Sequence, residues 1–160
     1  MGRGAGGAAG DDLLRLDRQV CFPLYAASNL ITRLYRPLLD QLGLTYPQYL
    51  VMMVLWETAS CTVGEVGRQL HLDTGTLTPL LKRMEAAGLV VRQRDPADER
   101  RVLVTLTADG DALRQRARRV PQAVAANLSM TLADLEQLRA CVSELVDNLQ
   151  SAPGPGAAKI

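Results

Sequence analysis

The stretch 62–106 constrains this chain most, because its spacing of caps, glycines and alternating residues admits few arrangements. Thr62-Val63-Gly64-Glu65 has the form of a capping box, in which a threonine and a glutamate three residues later satisfy each other's backbone amides. It predicts a short helix ending near Leu70. His71-Leu72-Asp73-Thr74 leaves room only for a tight connection, and Asp73 or Thr74 can cap a further helix over 75–87 that Gly88 stops. Two short helices joined in this way form a helix-turn-helix. Gly64 and Gly67 weaken the first of them in isolation, so packing must hold it. Residues 89–94 and 101–106 then read as strands, the second alternating Val102, Val104 and Leu106 on one face. The polar run 95–100 between them predicts a hairpin turn. A hairpin straight after a helix-turn-helix is a winged helix.

The flanks read as helices. Leu24, Ala27, Ile31, Leu34 and Leu38 recur at three- and four-residue steps. Pro23 fits the first turn of that helix, Gly43 fits its end, and Pro37 should kink or interrupt it. Thr45-Tyr46-Pro47-Gln48 is a second capping box. It opens a largely buried helix from Tyr46 to Thr58 that carries Tyr49, Leu50, Met53, Val54 and Trp56. Thr107 caps a long helix to about Leu128, which Pro121 should bend. Thr131 starts a last helix whose stripe of Leu135, Leu138, Val142, Leu145 and Leu149 has no partner left within the chain. That stripe is assigned, with the first helix, to a homodimer interface.

The expected fold is mainly α with a small β-hairpin wing (α+β). One domain over 13–150 would hold dimerisation helices at 13–44 and 108–150 around a winged-helix region at 45–107. The glycine- and alanine-rich 1–12 and the proline-bearing 151–160 are expected to be disordered. With one Trp and one Phe in 160 residues, the core must be aliphatic. No run of 18 apolar residues is present, so no membrane span is expected. The N-terminus lacks the apolar segment of a secretory signal, which implies a cytoplasmic, reducing setting. Three cysteines without a CxxC pair argue against a disulfide framework. A single histidine argues against a metal site, and no cofactor is expected.

The formal net charge is +1, but ten basic and six acidic residues lie between Lys82 and Arg119. Local basic surface matters more for nucleic acid than the sum does. Thr74, Thr76 and Thr78 place small hydroxyls on the first turns of the second helix of the motif, with Lys82 and Arg83 beyond. Such residues can approach base edges and phosphates in a major groove. Ordinary capping would account for the threonines alone. Arg92, Arg94, Arg100 and Arg101 clustered about one hairpin favour double-stranded DNA. A tip arginine can enter the minor groove, where negative potential is focused, and Asp98 can hold Arg100 in place.

Cys21 stands out among the thiols. Three of the four tyrosines, Tyr25, Tyr35 and Tyr46, fall within 25 residues after it. Phenolic hydroxyls can donate to a thiolate, the reactive form of cysteine. Tyr25 lies one turn away on the same face. Tyr35 is fourteen residues on, about 21 Å along a continuous helix, so it cannot touch Cys21 of its own chain. An antiparallel partner helix across a two-fold axis could bring them together. Without Cys21, Tyr35 and Tyr46 would read as packing residues. Cys61 and Cys141 read as packing or interface cysteines.

The recognition segment 73–85, with the wing residues 95–101 and Leu103-Val104-Thr105-Leu106-Thr107, resembles the MarR family. The set Cys21, Tyr35 and Tyr46 resembles its OhrR branch, the repressors that sense organic hydroperoxides. The resemblance covers roughly 14–149. It implies a repressor rather than an enzyme, a homodimer on a palindromic operator, and a reactive Cys21 hydrogen-bonded by Tyr35 and Tyr46 of the other subunit. It implies DNA contacts at Thr74, Thr76, Lys82, Arg92 and Arg100, with Asp98 orienting the wing arginine. It further implies an organic hydroperoxide as effector. The stretch 125–130, where two-cysteine members carry a resolving thiol, has none here, which favours a small-molecule thiol as mixed-disulfide partner and leaves Cys141 as the substitute resolver. Three other readings stay open: release by a non-covalent phenolic ligand, a thiol peroxidase, and an interaction module that does not bind DNA.

Overall fold

The computed structural model describes residues 12–152. The extensions expected at 1–12 and 151–160 lie outside that range, save Asp12, Ser151 and Ala152. A 3-10 turn at Leu16–Arg18 precedes helix α1 (Cys21–Asp40) and α2 (Tyr46–Thr58). Then come β1 (Ser60–Thr62), α3 (Val63–Leu70), α4 (Thr74–Ala86), β2 (Val90–Asp95) and β3 (Asp98–Leu106). Helices α5 (Ala108–Ala117), α6 (Val120–Ala126) and α7 (Leu132–Ser151) complete the order. The chain divides into two compact units, one ending at Pro121 and the other beginning at Gln122.

The caps read from sequence are formed. The Thr45 amide donates to Gln48 Oε1 at 2.8 Å. The Thr62 amide donates to Glu65 Oε2 at 2.7 Å, and the Glu65 amide returns to Thr62 Oγ1 at 3.2 Å. Asp73 caps α4 by accepting the Thr76 amide at 2.9 Å. Each cap satisfies a donor that a helix start leaves without an intrahelical partner.

Within the first unit, α1, α2, α3 and α4 close a core of Leu39, Met52, Leu55, Val66, Leu77, Leu81 and Met84, capped by Val90 and Val104 from the sheet. Each such side chain contributes roughly 1.5–3 kcal/mol of burial. Gly67 permits the close turn between α3 and α4, since a Cβ there would meet Leu72 O at 2.8 Å. Gly88, at φ +72°, reverses the chain from α4 into β2.

Four features depart from the sequence reading. The sheet has three strands in the order β1-β3-β2, all antiparallel, because Ser60–Thr62 pairs with 103–105. The hairpin turn is only Pro96 and Ala97; Asp98, Glu99 and Arg100 belong to β3, with an irregularity at Arg94/Asp95. Helix α1 runs through Pro37 without a break. Proline removes one bond to the carbonyl four residues back, and both Arg33 and Pro37 face solvent, where water can satisfy that carbonyl. The expected single helix from Ala108 to about Leu128 is instead two, separated at Arg118 and Arg119, because Pro121 cannot donate back to Ala117.

Helix α7 in the second unit contains no buried residue; Leu138 and Leu149 of its apolar stripe are exposed. Among the described residues no helix is long and apolar enough to cross a membrane.

Candidate nucleic-acid interface and thiol site

Helix α4 buries Leu77, Leu80, Leu81 and Met84, which turns Thr74, Thr76, Lys82 and Arg83 outward. Thr78 is half-buried. The wing stands beside this face. A concavity of about 430 Å³ lies between them, lined by Thr74, Thr78, Arg92, Arg100 and Arg101 together with the start of α3. Five residues singled out from sequence therefore share one surface.

Their hydrogen bonds differ sharply. Arg100 is 90% exposed in its side chain, yet its Nε and Nη2 donate to Asp98 at 3.0 and 3.2 Å. The Asp98 carboxyl is held below its ordinary range by that guanidinium, and Arg100 is raised in return. Arg101 reaches Asp95 at 3.8 Å and Glu65 at 3.9 Å, tying the wing to α3. Arg94 donates to the Glu99 carbonyl across the turn at 3.5 Å. Arg92 points back into the fold: Nη2 and Nε donate to Glu85 Oε2 at 2.8 and 3.0 Å, and its backbone amide donates to Oε1 at 3.0 Å. Arg92 lowers the Glu85 carboxyl below its ordinary value. Sequence reasoning named Arg92 but missed Glu85, seven residues earlier on another element. Thr76 gives its hydroxyl hydrogen to Asp73 at 2.8 Å as well as its amide, so the helix start spends that donor on its own cap.

Cys21 is the first residue of α1 and is an exposed free thiol. Tyr25 is 68% exposed. Tyr35 and Tyr46 lie together instead at the far end of α1, their ring centroids 4.9 Å apart and planes tilted by 54°. Tyr49, which carried no functional assignment from sequence, joins them with its centroid 5.9 Å from that of Tyr35, and Trp56 meets Tyr49 edge-on. Burial raises all three phenols above their ordinary range, with neighbouring phenols adding to the effect at Tyr35 and Tyr49. They stay protonated and able to donate. The continuous helix keeps this cluster from Cys21 of the same chain. A cleft of about 410 Å³ beside Tyr46 is lined by Arg33, Arg36, Asp40 and apolar Leu39, Leu44 and Pro47.

The other thiols differ. Cys61 is buried in β1, and that burial pushes its thiol up, away from the reactive form. Cys141 is exposed on α7 and borders a shallow cleft with Met130 and Leu138. Among the described residues, no group of three or more His, Cys, Asp or Glu side chains is placed to hold a metal ion.

The sequence matches the family described as transcriptional regulator SarA/Rot over residues 33–116, from the middle of α1 into α5. It is 46% identical over 138 residues to the organic hydroperoxide resistance transcriptional regulator of Bacillus subtilis strain 168, covering 86% of this chain and 94% of that one. The chain belongs to the MarR family of DNA-binding transcriptional regulators, in its organic-hydroperoxide-resistance branch. Its fold resembles reduced AbfR bound to DNA, a protein of Staphylococcus epidermidis, with a TM-score of 0.73 and 37% identity over 87% of this chain and 95% of that one. The disulfide form of AbfR is similar at a TM-score of 0.58 and 37% identity, over 86% and 97%. The SarA/Rot match spans the winged helix, and the regulator aligned over nearly its whole length places this MarR-family chain in its branch.

Proposed function

We propose that this MarR-family protein is a homodimeric, cytoplasmic repressor that organic hydroperoxides inactivate through Cys21. The observation that carries the reading is the arrangement along α1: an exposed thiol at its first residue and two paired phenols, Tyr35 and Tyr46, at its other end. Across a two-fold axis each thiol meets the phenols of the other subunit, as the resemblance to the OhrR branch implies. Apolar positions exposed on α1 and on α7 would be buried by a second copy.

In the reduced dimer, two α4 helices enter successive major grooves of a palindromic operator, and Arg100, held by Asp98, probes the minor groove. Thr74, Thr76, Thr78, Lys82, Arg83 and Arg94 supply the remaining contacts. The Cys21 thiolate attacks the terminal oxygen of the hydroperoxide. The O–O bond breaks, the organic fragment leaves as an alcohol after taking up a proton, and sulfur becomes sulfenic acid. A small thiol then displaces water from the sulfenic acid and forms a mixed disulfide. The added bulk and the lost phenol hydrogen bonds shift the interface helices and change the spacing of the reader helices. A coupling of about 3 kcal/mol lowers operator affinity more than 100-fold.

Trapping with dimedone after one equivalent of cumene hydroperoxide tests the chemistry. The adduct belongs on Cys21; an adduct confined to Cys141 or Cys61 removes the basis of the reading. The cleft beside Tyr46, with Arg33 and Arg36 at its wall, favours one alternative, release by a non-covalent anionic phenol. Under that alternative Cys21→Ser keeps its full response to the ligand.

A further inference from the structure

Arg92 and Arg100 line the same concavity but are built for different tasks. Arg100 is 90% exposed, with its carboxylate partner on its own strand. Arg92 is 22% exposed, and both oxygens of Glu85 are committed to it: Oε2 takes two guanidinium donors and Oε1 takes the backbone amide. Arg100 is paired as well, so what separates the two is reach: a guanidinium 22% exposed presents far less of itself to a phosphate than one 90% exposed. Glu85 lies in the last turns of α4, and Arg92 lies in β2, opposite Val104 of the strand that carries Arg100. Three hydrogen bonds therefore fix the reader helix against the sheet that becomes the wing.

We infer that Arg92 is a positioning residue: with Glu85 it sets the pitch of the wing against α4, and so where Arg100 meets DNA, instead of contacting phosphate itself. The inference rests on the DNA-binding reading above and removes Arg92 from the contacts the family resemblance supplies.

Two properties separate the roles. Neutralising a phosphate releases counterions, so losing a phosphate contact lowers the slope of log affinity against log salt by about one. A brace changes affinity without changing that slope. Residues that act through one another are also non-additive.

The test measures binding to a palindromic duplex selected from a random library by the wild-type dimer, as a function of salt. Arg92→Gln and Arg92→Lys should both weaken binding, about tenfold, with the wild-type slope retained. Lysine keeps the charge but loses the fork. In an Arg100→Ala background, Arg92→Gln should cost less than about threefold more. The charge swap Glu85→Arg with Arg92→Glu should recover most of the affinity lost in Arg92→Gln. Thermal unfolding of each variant identifies any that fails to fold, and Arg92→Lys, which retains charge and bulk, keeps the question answerable.

Full binding by Arg92→Lys, a slope reduced by about one in Arg92→Gln, or losses that simply multiply with Arg100→Ala would overturn the brace and restore Arg92 as a contact. Failure of the wild-type protein to enrich any duplex would sink the repressor reading and the brace with it. A bound duplex with additive losses sinks the brace alone.

Discussion

Tyr35 and Tyr46 meet with ring centroids 4.9 Å apart at the opposite end of α1 from Cys21. If their hydroxyls serve a thiolate, it is the partner's. Mixed dimers test this directly. One subunit carries Cys21→Ser, the other Tyr35→Phe with Tyr46→Phe, and neither homodimer should respond well to cumene hydroperoxide. The heterodimer should regain a Cys21 oxidation rate near that of one wild-type site, because the intact cysteine then faces the intact phenols. A heterodimer as slow as the tyrosine-less homodimer would place the phenols out of reach.

The raised phenols give a pH expectation. Tyr35, Tyr46 and Tyr49 lose their protons only above the ordinary tyrosine range, about pH 10. The rate of Cys21 oxidation should therefore show no tyrosine limb below that pH. Stopped-flow oxidation between pH 5 and about 10 checks it, and a descending limb that Tyr35→Phe abolishes would contradict it.

Asp98 and Arg100 form the wing's own pair. Asp98→Ala should weaken operator binding about tenfold with little change in salt slope, while Arg100→Ala should weaken it at least as much and lower the slope by about one. Asp98 is depressed when folded, so the pairing is present above the ordinary aspartate pKa, about 4. It is lost only as pH falls through the lower folded value. Fluorescence anisotropy across salt reads both variants.

Two glycines should respond in opposite directions to alanine. Gly64 lies in α3 with nothing within 4 Å of a built Cβ, so Gly64→Ala should stabilise by ~0.5–1 kcal/mol. At Gly110 the same atom would lie 2.1 Å from Leu89 O, so Gly110→Ala should destabilise by ~1–3 kcal/mol. The Gly110 carbonyl also accepts from Trp56 Nε1 at 3.0 Å, so a shift there disturbs α2. Urea unfolding of the two variants gives the signs.

Local chemistry carried most of the fold into the sequence. Thr45–Gln48, Thr62–Glu65 and Asp73 announce their helices because a cap needs only residues three apart. Non-local relations were hidden. Ser60–Thr62 is a strand because β3 offers it an edge, which three residues cannot signal. Asp98–Arg100 look like turn residues, yet pairing with β2 draws them into the ladder. At the site, Thr74, Thr78 and Arg100 were legible from motif and wing composition. The Glu85 partner of Arg92 was not, since the two meet only after the chain reverses at Gly88. Tyr49 was hidden for the same reason, as its contact with Tyr35 depends on how α1 and α2 cross.

The central claim is that one thiol governs DNA release. Binding of the wild-type dimer and of Cys21→Ser to a palindromic operator should be followed while cumene hydroperoxide and a small thiol are added. Both proteins should bind equally when reduced, wild type should then lose more than about 100-fold in affinity, and Cys21→Ser should stay bound. Equal release of both proteins would contradict it.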